Sequence, residues 1–442
     1  MTGSKPSEAS ASMGQRQTRI LKASVSNVGS FGFSDPTKRF LAPWTLNINA
    51  GSQDATHLLE AAEAIRETDV PVAFPTETVY GLGASALATR SEAVQAIFAA
   101  KGRPADNPLI VHISSLSQLS RLISTQSPDN GLAEEAVDND PLALVPQIYH
   151  SLISRFWPGP LTILLPLPSP SPLAAEVTGS RKVTTFGVRM PSSLLALALI
   201  HLADTPLAAP SANASTRPSP TTAQHVMHDL RGKIDIILDG GPCDVGVEST
   251  VVDGLSDPPA VLRPGGVSLE MLRECEGWEG VVRGYRDKDT GEAQLKDRGN
   301  DVVNGDDGEV NEVEELEEQP RAPGMKYKHY SPRAKVVLVK GSLDRQVVES
   351  HSSADTKTGV ITTTFWTAES LTHILPRTPH AYHHLGPVPS VIARGLFSAL
   401  RAMDDAGVDV IFVEAVDECD GGGEAAAIMN RLKKAAEVLV GF

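Results

Sequence analysis

The chain has 442 residues, 41% hydrophobic and 21% charged, the balance of a soluble globular protein of two or three domains. Its formal net charge of −15 excludes broad nonspecific nucleic-acid binding, which needs a basic surface, so any anion site must be a local basic pocket. Cys243, Cys275 and Cys419 show neither C-x-x-C nor zinc spacing. A reducing compartment without a disulfide framework is therefore expected, and no apolar run reaches membrane-spanning length.

Residues 1 to about 40 are serine-rich and carry Lys5, Arg16, Arg19, Lys22, Lys38 and Arg39 against Glu8 and Asp35. Two readings stand, a disordered tail and an organellar transit segment, with Ile20 to Val25 a candidate edge strand. A helix is predicted from Ala55 to Glu67, then a buried strand from Val70 to Phe74, which Pro75 ends because it has no N–H for a ladder.

Thr76, Glu77 and Thr78 sit at that strand's exit, followed by Gly81 and Gly83. Ala93, Val94, Ile97 and Phe98 form an apolar stripe at helical spacing, so a helix should run from Ser91 to the Lys101-Gly102 pair. Lys101 and Arg103 then lie at its C-terminal end. There they either complement the dipole or meet an anion. GLGASA matches a relaxed dinucleotide fingerprint, but no acidic residue follows where a ribose would need one. Pro104 and Pro108 bracket a turn holding Asn107, and Leu109 to Ile113 reads as a second strand carrying His112.

Further on, Ile148 to Phe156 reads as helix and Leu161 to Leu165 as strand. In Thr184 to Pro191, alternation sets Thr185 and Arg189 on a different face from Val188. A cation on an apolar strand needs a partner, either a protein carboxylate or a ligand's. After a helix at Leu194 to Leu202 comes PLAAPSANASTRPSPTTAQHV, where Ser211, Asn213, Ser215, Thr216 and Ser219 form a hydroxyl-rich loop stiffened by prolines. A loop at a strand-to-helix crossing is suited to phosphate.

Ile234 to Asp239 is read as a strand whose hairpin partner begins at Ser249-Thr250, and Arg263 again places a cation at a strand end. Short mixed strands with few crossovers indicate an α+β domain. Asp306 to Glu318 carries eight acids and no bases, which reads as a disordered insert. It ends at RAPGMKYKHYSP, a lid candidate. From Arg333 on, strands and helices alternate, predicting a smaller α/β unit with a parallel sheet, and a last helix from Glu424 to Leu439. His380, His383 and His384 lack a flanking carboxylate and read as surface residues.

Taken in order, FPTETVYGLGA, KGRPADNPLIVHI, WPGPLTILLP, FGVRMP, PLAAPSANASTRPSPT, GVESTVVD, LRPGG and APGMKYKHYSP closely resemble the threonylcarbamoyl-AMP synthase family. The resemblance covers about residues 56 to 275, the lid-like segment and, more weakly, the C-terminal region. It implies a YrdC-like twisted mixed-sheet catalytic domain over 55–277 and a C-terminal α/β domain over 333–442; outside it, a partly disordered N-terminal extension is expected over 1–54 and a linker with acidic insert, ending in the lid segment, over 278–332.

The implied reaction is a nucleotidyltransferase step. L-threonine, bicarbonate and Mg-ATP give threonylcarbamoyl-AMP and pyrophosphate, and a separate transferase complex then modifies tRNA. By the resemblance, threonine is held by Thr78, His112, Arg189, the Ala209 backbone and Ser249. ATP is held by Arg103, Asn107, Thr185, Ser211, Ser219, Arg263 and a lid aromatic taken as Tyr327. Lys101 and Arg103 face the phosphates as catalytic cations, Mg²⁺ accompanies ATP with its protein ligands unknown, and Lys326 to Tyr330 forms the lid. The resemblance implies a cytosolic-type enzyme, and the basic N-terminus leaves mitochondria as a second location; weak tRNA binding is a further partner expectation, and the lack of a long apolar run gives the expectation of no membrane contact. Two other readings compete. One is a non-catalytic RNA-binding module, against the net charge and the 5% aromatic content. The other is a carbamoyl-phosphate-using relative, which lacks its fused partner domain here.

Overall fold

The structure, a computed structural model, describes residues 16–104, 107–124, 142–179, 183–285, 330–417 and 422–442. The acidic insert, Tyr327 and all of the lid candidate except Tyr330 lie outside these residues.

Among the described residues, eleven strands form one mixed sheet. Their spatial order is Arg19–Lys22, Ile236–Asp239, Val72–Phe74, Gly81–Ser85, Leu207–Ala208, Ile110–His112, Thr185–Arg189, Leu161–Pro166, Thr250–Asp253, Ala260–Arg263 and Val282–Arg283. Arg19–Lys22 is an edge strand parallel to Ile236–Asp239, so the candidate edge strand falls on a real one. The hairpin of Gly29–Phe33 and Trp44–Ile48 adds Phe31 and Trp44, whose rings lie 5.6 Å apart, to the core. Ile236–Asp239 does not pair with Thr250–Asp253, contrary to the hairpin expected there. The latter's hairpin partner is Ala260–Arg263, because a 10-residue connection carries the chain across the sheet and past the second domain.

Helices form where local signals and burial agree. Gln53–Glu67 begins at Ser52, whose side chain accepts from the N–H of Asp54 and Ala55, and buries Ala55, Leu58, Ala61, Ala62 and Ile65 on one face. Leu58 and Ile65 each contribute roughly 1.5–3 kcal/mol by leaving water. Ser91–Lys101 stops at Gly102, which takes φ 63°, the left-handed cap that glycine adopts without a Cβ clash. This places Lys101 and Arg103 at the sheet's functional edge.

The second unit is a five-stranded parallel sheet in the order Ala381–His384, Thr358–Thr362, Val410–Glu414, Lys335–Val339 and Val438–Val440. The last predicted helix is shorter than expected. It spans Gly422–Ala435, and Val438–Val440 joins the sheet beside Val337–Val339 as a half-buried edge strand, where β-branched residues fit the pleat. His383 and His384 lie on the edge strand Ala381–His384.

The two units share a buried seam. Val79 and Val247 of the first belong to the apolar cluster of the second, packed with Phe397 and Leu396. Gly246 takes φ +80°, and a Cβ there would stand 2.4 Å from Arg394 Cα, so only glycine lets the backbones touch. Arg401 donates to Asp229 Oδ1 at 3.1 Å and Oδ2 at 2.7 Å, with side-chain exposures of 3% and 0%. Burial opposes the Asp229 charge, but its hydrogen bond and attraction to Arg401 outweigh that and hold its pKa below the usual carboxylate range. Arg401→Met should destabilise the protein by about 3 kcal/mol, since a buried carboxylate loses its main partner. Denaturant unfolding reads this, and an unchanged midpoint would show the seam to be incidental.

Candidate active site

Parallel pairing sets His112 directly beside Arg189, and Val111 beside Val188. Paired residues point to the same face, so the imidazole and the guanidinium share one cleft wall. Arg189 is 3% exposed; Nη2 donates to Glu77 Oε1 at 2.8 Å and Nη1 to Thr78 Oγ1 at 3.0 Å. The partner that the arginine needs is therefore a protein carboxylate in this structure. Glu77 is in turn held by the Ser192 N–H at 3.1 Å. Arg189 Nε remains buried without a hydrogen-bond partner.

His112 is buried and makes a 3.1 Å contact between Nδ1 and the Ile110 carbonyl. A carbonyl only accepts, so Nδ1 carries the proton. Burial, then the Arg189 charge, pushes its pKa down to about 3. The ring is neutral at physiological pH and acts by hydrogen bonding rather than as a cation.

Lys101 is 4% exposed, and its Nζ donates to the Ser211 carbonyl, to the Asn213 carbonyl at 2.7 Å and to Asn213 Oδ1 at 3.4 Å. Burial, then Arg103, lowers its pKa well below the ordinary value. The expectation of a lysine aimed freely at phosphates is corrected here. Its donors are engaged, and they tie the helix end to the hydroxyl-rich loop. Arg103 is half-buried and donates through Nη2 to the carbonyls of Asn107 and Pro108 at 3.3 and 3.2 Å. Asn107 is buried, and its Oδ1 has no partner.

Opposite these stand Ser249 and Arg263. Ser249 Oγ lies 2.8 Å from Thr162 Oγ1 and receives Arg263 Nη2 at 3.1 Å, while Arg263 also donates to the Ser249 carbonyl. Glu248, next to Ser249, accepts from Ser219 Oγ at 2.5 Å and Arg431 Nε at 2.8 Å. Burial disfavours its charge, but Arg431 and Arg263 outweigh burial and keep the carboxyl pKa low.

A cleft of about 770 Å³ joins Thr78, His112, Arg189, Ala209 and Ser249 to Lys101, Arg103, Ser211, Ser219 and Arg263. Asn107 is not among its lining residues, and neither is Thr185. That residue begins the strand that Arg189 ends, about 13 Å away at strand rise, and borders a separate cavity of about 310 Å³ with Thr162 and Phe186. Sharing a face was insufficient, because position along the strand also matters. Tyr330 lines the cleft where Tyr327 was expected to stand, and Tyr327 lies outside the described residues. Tyr330 and Thr216 both take positive φ, 66° and 75°, and Ser331 N–H donates to the Thr216 carbonyl at 2.9 Å. Strained backbone at two cleft residues is a common companion of function.

Sequence reasoning missed Glu248 and left Glu77 without a role, although each immediately precedes a residue it did select. Among the described residues no cluster of three His, Cys, Asp or Glu could hold a metal ion.

A mixed sheet carrying a cleft with cations at several strand ends, backed by a parallel-sheet domain, defines a two-domain protein with a cation-lined cleft. Residues 64–265 match the Sua5/YciO/YrdC model, described as telomere recombination, and residues 267–437 match the C-terminal domain of threonylcarbamoyl-AMP synthase. The threonylcarbamoyl-AMP synthase of Schizosaccharomyces pombe is 46% identical over 400 residues, covering 88% of this chain and 90% of that one. That of Pyrococcus abyssi is 42% identical, covering 85% and 93%. The solved structure of Pyrococcus abyssi Sua5 complexed with L-threonine superposes with a TM-score of 0.64 at 39% identity, covering 87% of this chain and 96% of that one. The chain belongs to the threonylcarbamoyl-AMP synthase family, whose members are nucleotidyltransferase-type enzymes that make an adenylate from ATP.

Neutral His112 binds fewer protons when folded than unfolded. Its contribution to stability is full above about pH 6.5, the unfolded value, and is lost as pH falls toward the folded value of about 3. His112→Gln should therefore show a shallower acid decline of the urea midpoint between those limits. Parallel curves for the two proteins would refute the buried neutral ring.

Proposed function

We propose that this chain condenses L-threonine, bicarbonate and ATP into threonylcarbamoyl-AMP and pyrophosphate, for the threonylcarbamoyladenosine modification of tRNA. The observation that carries this reading is one cleft in which the Arg189, Thr78, His112 and Ser249 group adjoins Lys101, Arg103 and Arg263. The Pyrococcus abyssi relative complexed with L-threonine supports threonine as a substrate, and the first group is read as its side of the cleft.

In this reading the threonine carboxylate takes the remaining Nε donor of Arg189 and shares the guanidinium with Glu77. Thr78, Ser249 and neutral His112 orient the side chain and amine, with the Ala209 backbone behind them. The amine attacks the carbon of bicarbonate-derived CO₂ and loses a proton to solvent, giving a carbamate. The carbamate oxygen attacks the α-phosphorus in line, and pyrophosphate leaves with the bonding pair. No covalent enzyme intermediate is needed; positioning and charge do the work.

Arg103, Arg263 and Asn107 serve the nucleotide. Asn107 offers a buried acceptor with no other partner. Lys101 supports from behind, because its donors hold the Ser211 and Asn213 backbone in place. Thr185 has no part in this reading. Glu248 lines the cleft but is already engaged by Ser219 and Arg431, so the residues present do not form a cation cage. Mg²⁺ enters as Mg-ATP, with the substrate. Tyr330 closes the cleft from the C-terminal side.

The buried free thiols of Cys243 and Cys275 suit a reducing, cytoplasmic setting, with the product passed to a transferase complex. No helix among the described residues is long and apolar enough to cross a membrane. The RNA-binding alternative is set aside, because relatives of 38 to 46% identity over most of the chain are named as synthases.

Pyrophosphate release from Mg-ATP should require both threonine and bicarbonate; release indifferent to threonine would sink the reading. Arg189→Met, combined with Glu77→Gln to avoid a lone buried carboxylate, should raise the KM for threonine about tenfold or more. The KM for ATP should stay within about twofold, and equal rises in both would misplace the carboxylate.

A further inference from the structure

We propose that Arg431, on the last helix of the C-terminal unit, is a positioning residue of the nucleotide site. It acts through Glu248 to fix Ser219 as a hydrogen-bond acceptor toward ATP. This inference rests on the reading that the cleft binds ATP, and it gives the C-terminal unit a part in that binding.

Arg431 is fully buried, yet it belongs to a helix, Gly422–Ala435, more than 150 residues beyond the cleft's last strand, Ala260–Arg263. Its Nε donates to Glu248 Oε2 at 2.8 Å, and its Nη1 donates to the Pro264 carbonyl at 2.8 Å and Asn430 Oδ1 at 3.0 Å. These contacts orient the guanidinium from two sides. The carboxylate they hold is on the cleft wall, and its other oxygen accepts a hydrogen bond from the Ser219 hydroxyl at 2.5 Å. The same guanidinium lies 5.5 Å from the centre of the Tyr330 ring, which stacks on Phe397 at 5.4 Å. Arg431 thus braces two cleft-lining side chains, one by a relay and one by direct contact.

The relay has a chemical consequence. A serine hydroxyl has one proton, and Ser219 points it at an ionised carboxylate as a hydrogen-bond donor. Toward the cleft its oxygen can then only accept. The group it meets on the nucleotide must be a donor or a cation rather than a phosphate oxygen, and the hydroxyl-rich loop is not a uniform phosphate cradle. Arg431 is the largest influence holding Glu248 ionised against burial, with Arg263 next, so losing the Arg431 charge would shift Glu248 toward protonation. A neutral carboxyl could donate to Ser219 and reverse the hydroxyl's polarity.

Arg431→Lys tests this, because a lysine keeps the charge but cannot serve Glu248 and the Pro264 carbonyl with a planar fork. ATP affinity, measured by calorimetry, and the KM for ATP should each weaken about tenfold, the loss of one charge-assisted hydrogen bond. The KM for threonine should stay within about twofold. In a Ser219→Ala background the same substitution should add less than about twofold, because both act on one contact. A merely structural role would raise both KM values together and add fully to Ser219→Ala, and either result overturns the proposal. If Arg431→Lys does not fold, Arg431→Met with Glu248→Gln removes both buried charges; wild-type ATP affinity in that pair would equally overturn it. Wild-type protein that binds ATP but releases no threonine-dependent pyrophosphate would count against the synthase reading alone, while the ATP-affinity cycle still decides the role of Arg431.

Discussion

Buried positive charge, and the need to compensate it, is the constraint that the rest of this structure obeys. The cleft presents several cations, and cations withdrawn from water are costly unless each has a partner. Arg189 is held by Glu77, Arg431 by Glu248, and Arg401 and Arg217 by Asp229. Lys101 is held by carbonyls instead. Each compensating group also connects segments distant in sequence, so the electrostatics of the site and the architecture of the chain are one problem.

The solution explains why two units are joined by more than a linker. Glu248 and Asp229 lie in the mixed-sheet unit, and their strongest partners, Arg431 and Arg401, come from helices of the parallel-sheet unit. Arg401 also bonds the Pro218 carbonyl, and Arg217 reaches Asp404 at 3.3 Å. The hydroxyl-rich loop is therefore clamped from behind by the second unit and from the side by Lys101. A loop without regular ladders needs such outside bonds to hold a fixed shape.

Local physics was largely readable from residue order. The stripe of Ala93, Val94, Ile97 and Phe98, the Gly102 stop and the strand at His112 follow from periodicity and cap chemistry, and the structure has all three. Prediction failed where a choice depended on distant partners. Thr185 shares a face with Arg189, but only sheet register and strand length say that it lies at the far end. The segment Val438–Val440 reads as a helix end by itself, and it becomes a strand because Val337–Val339 leaves an open edge for it.

Sequence alone determined the order of motifs, the α+β class of the first unit, the parallel sheet of the second and about half of the residues that line the cleft. These depend on short-range periodicity, turn chemistry and residue type, which survive in one dimension. Tertiary structure decided which charges neutralise which: Glu77 for Arg189, backbone carbonyls for Lys101, and Arg431, from 183 residues away, for Glu248. Nothing local to any of these residues distinguishes one carboxylate from another. Pairing is set by burial and distance after folding, where a low dielectric makes the choice of partner decisive.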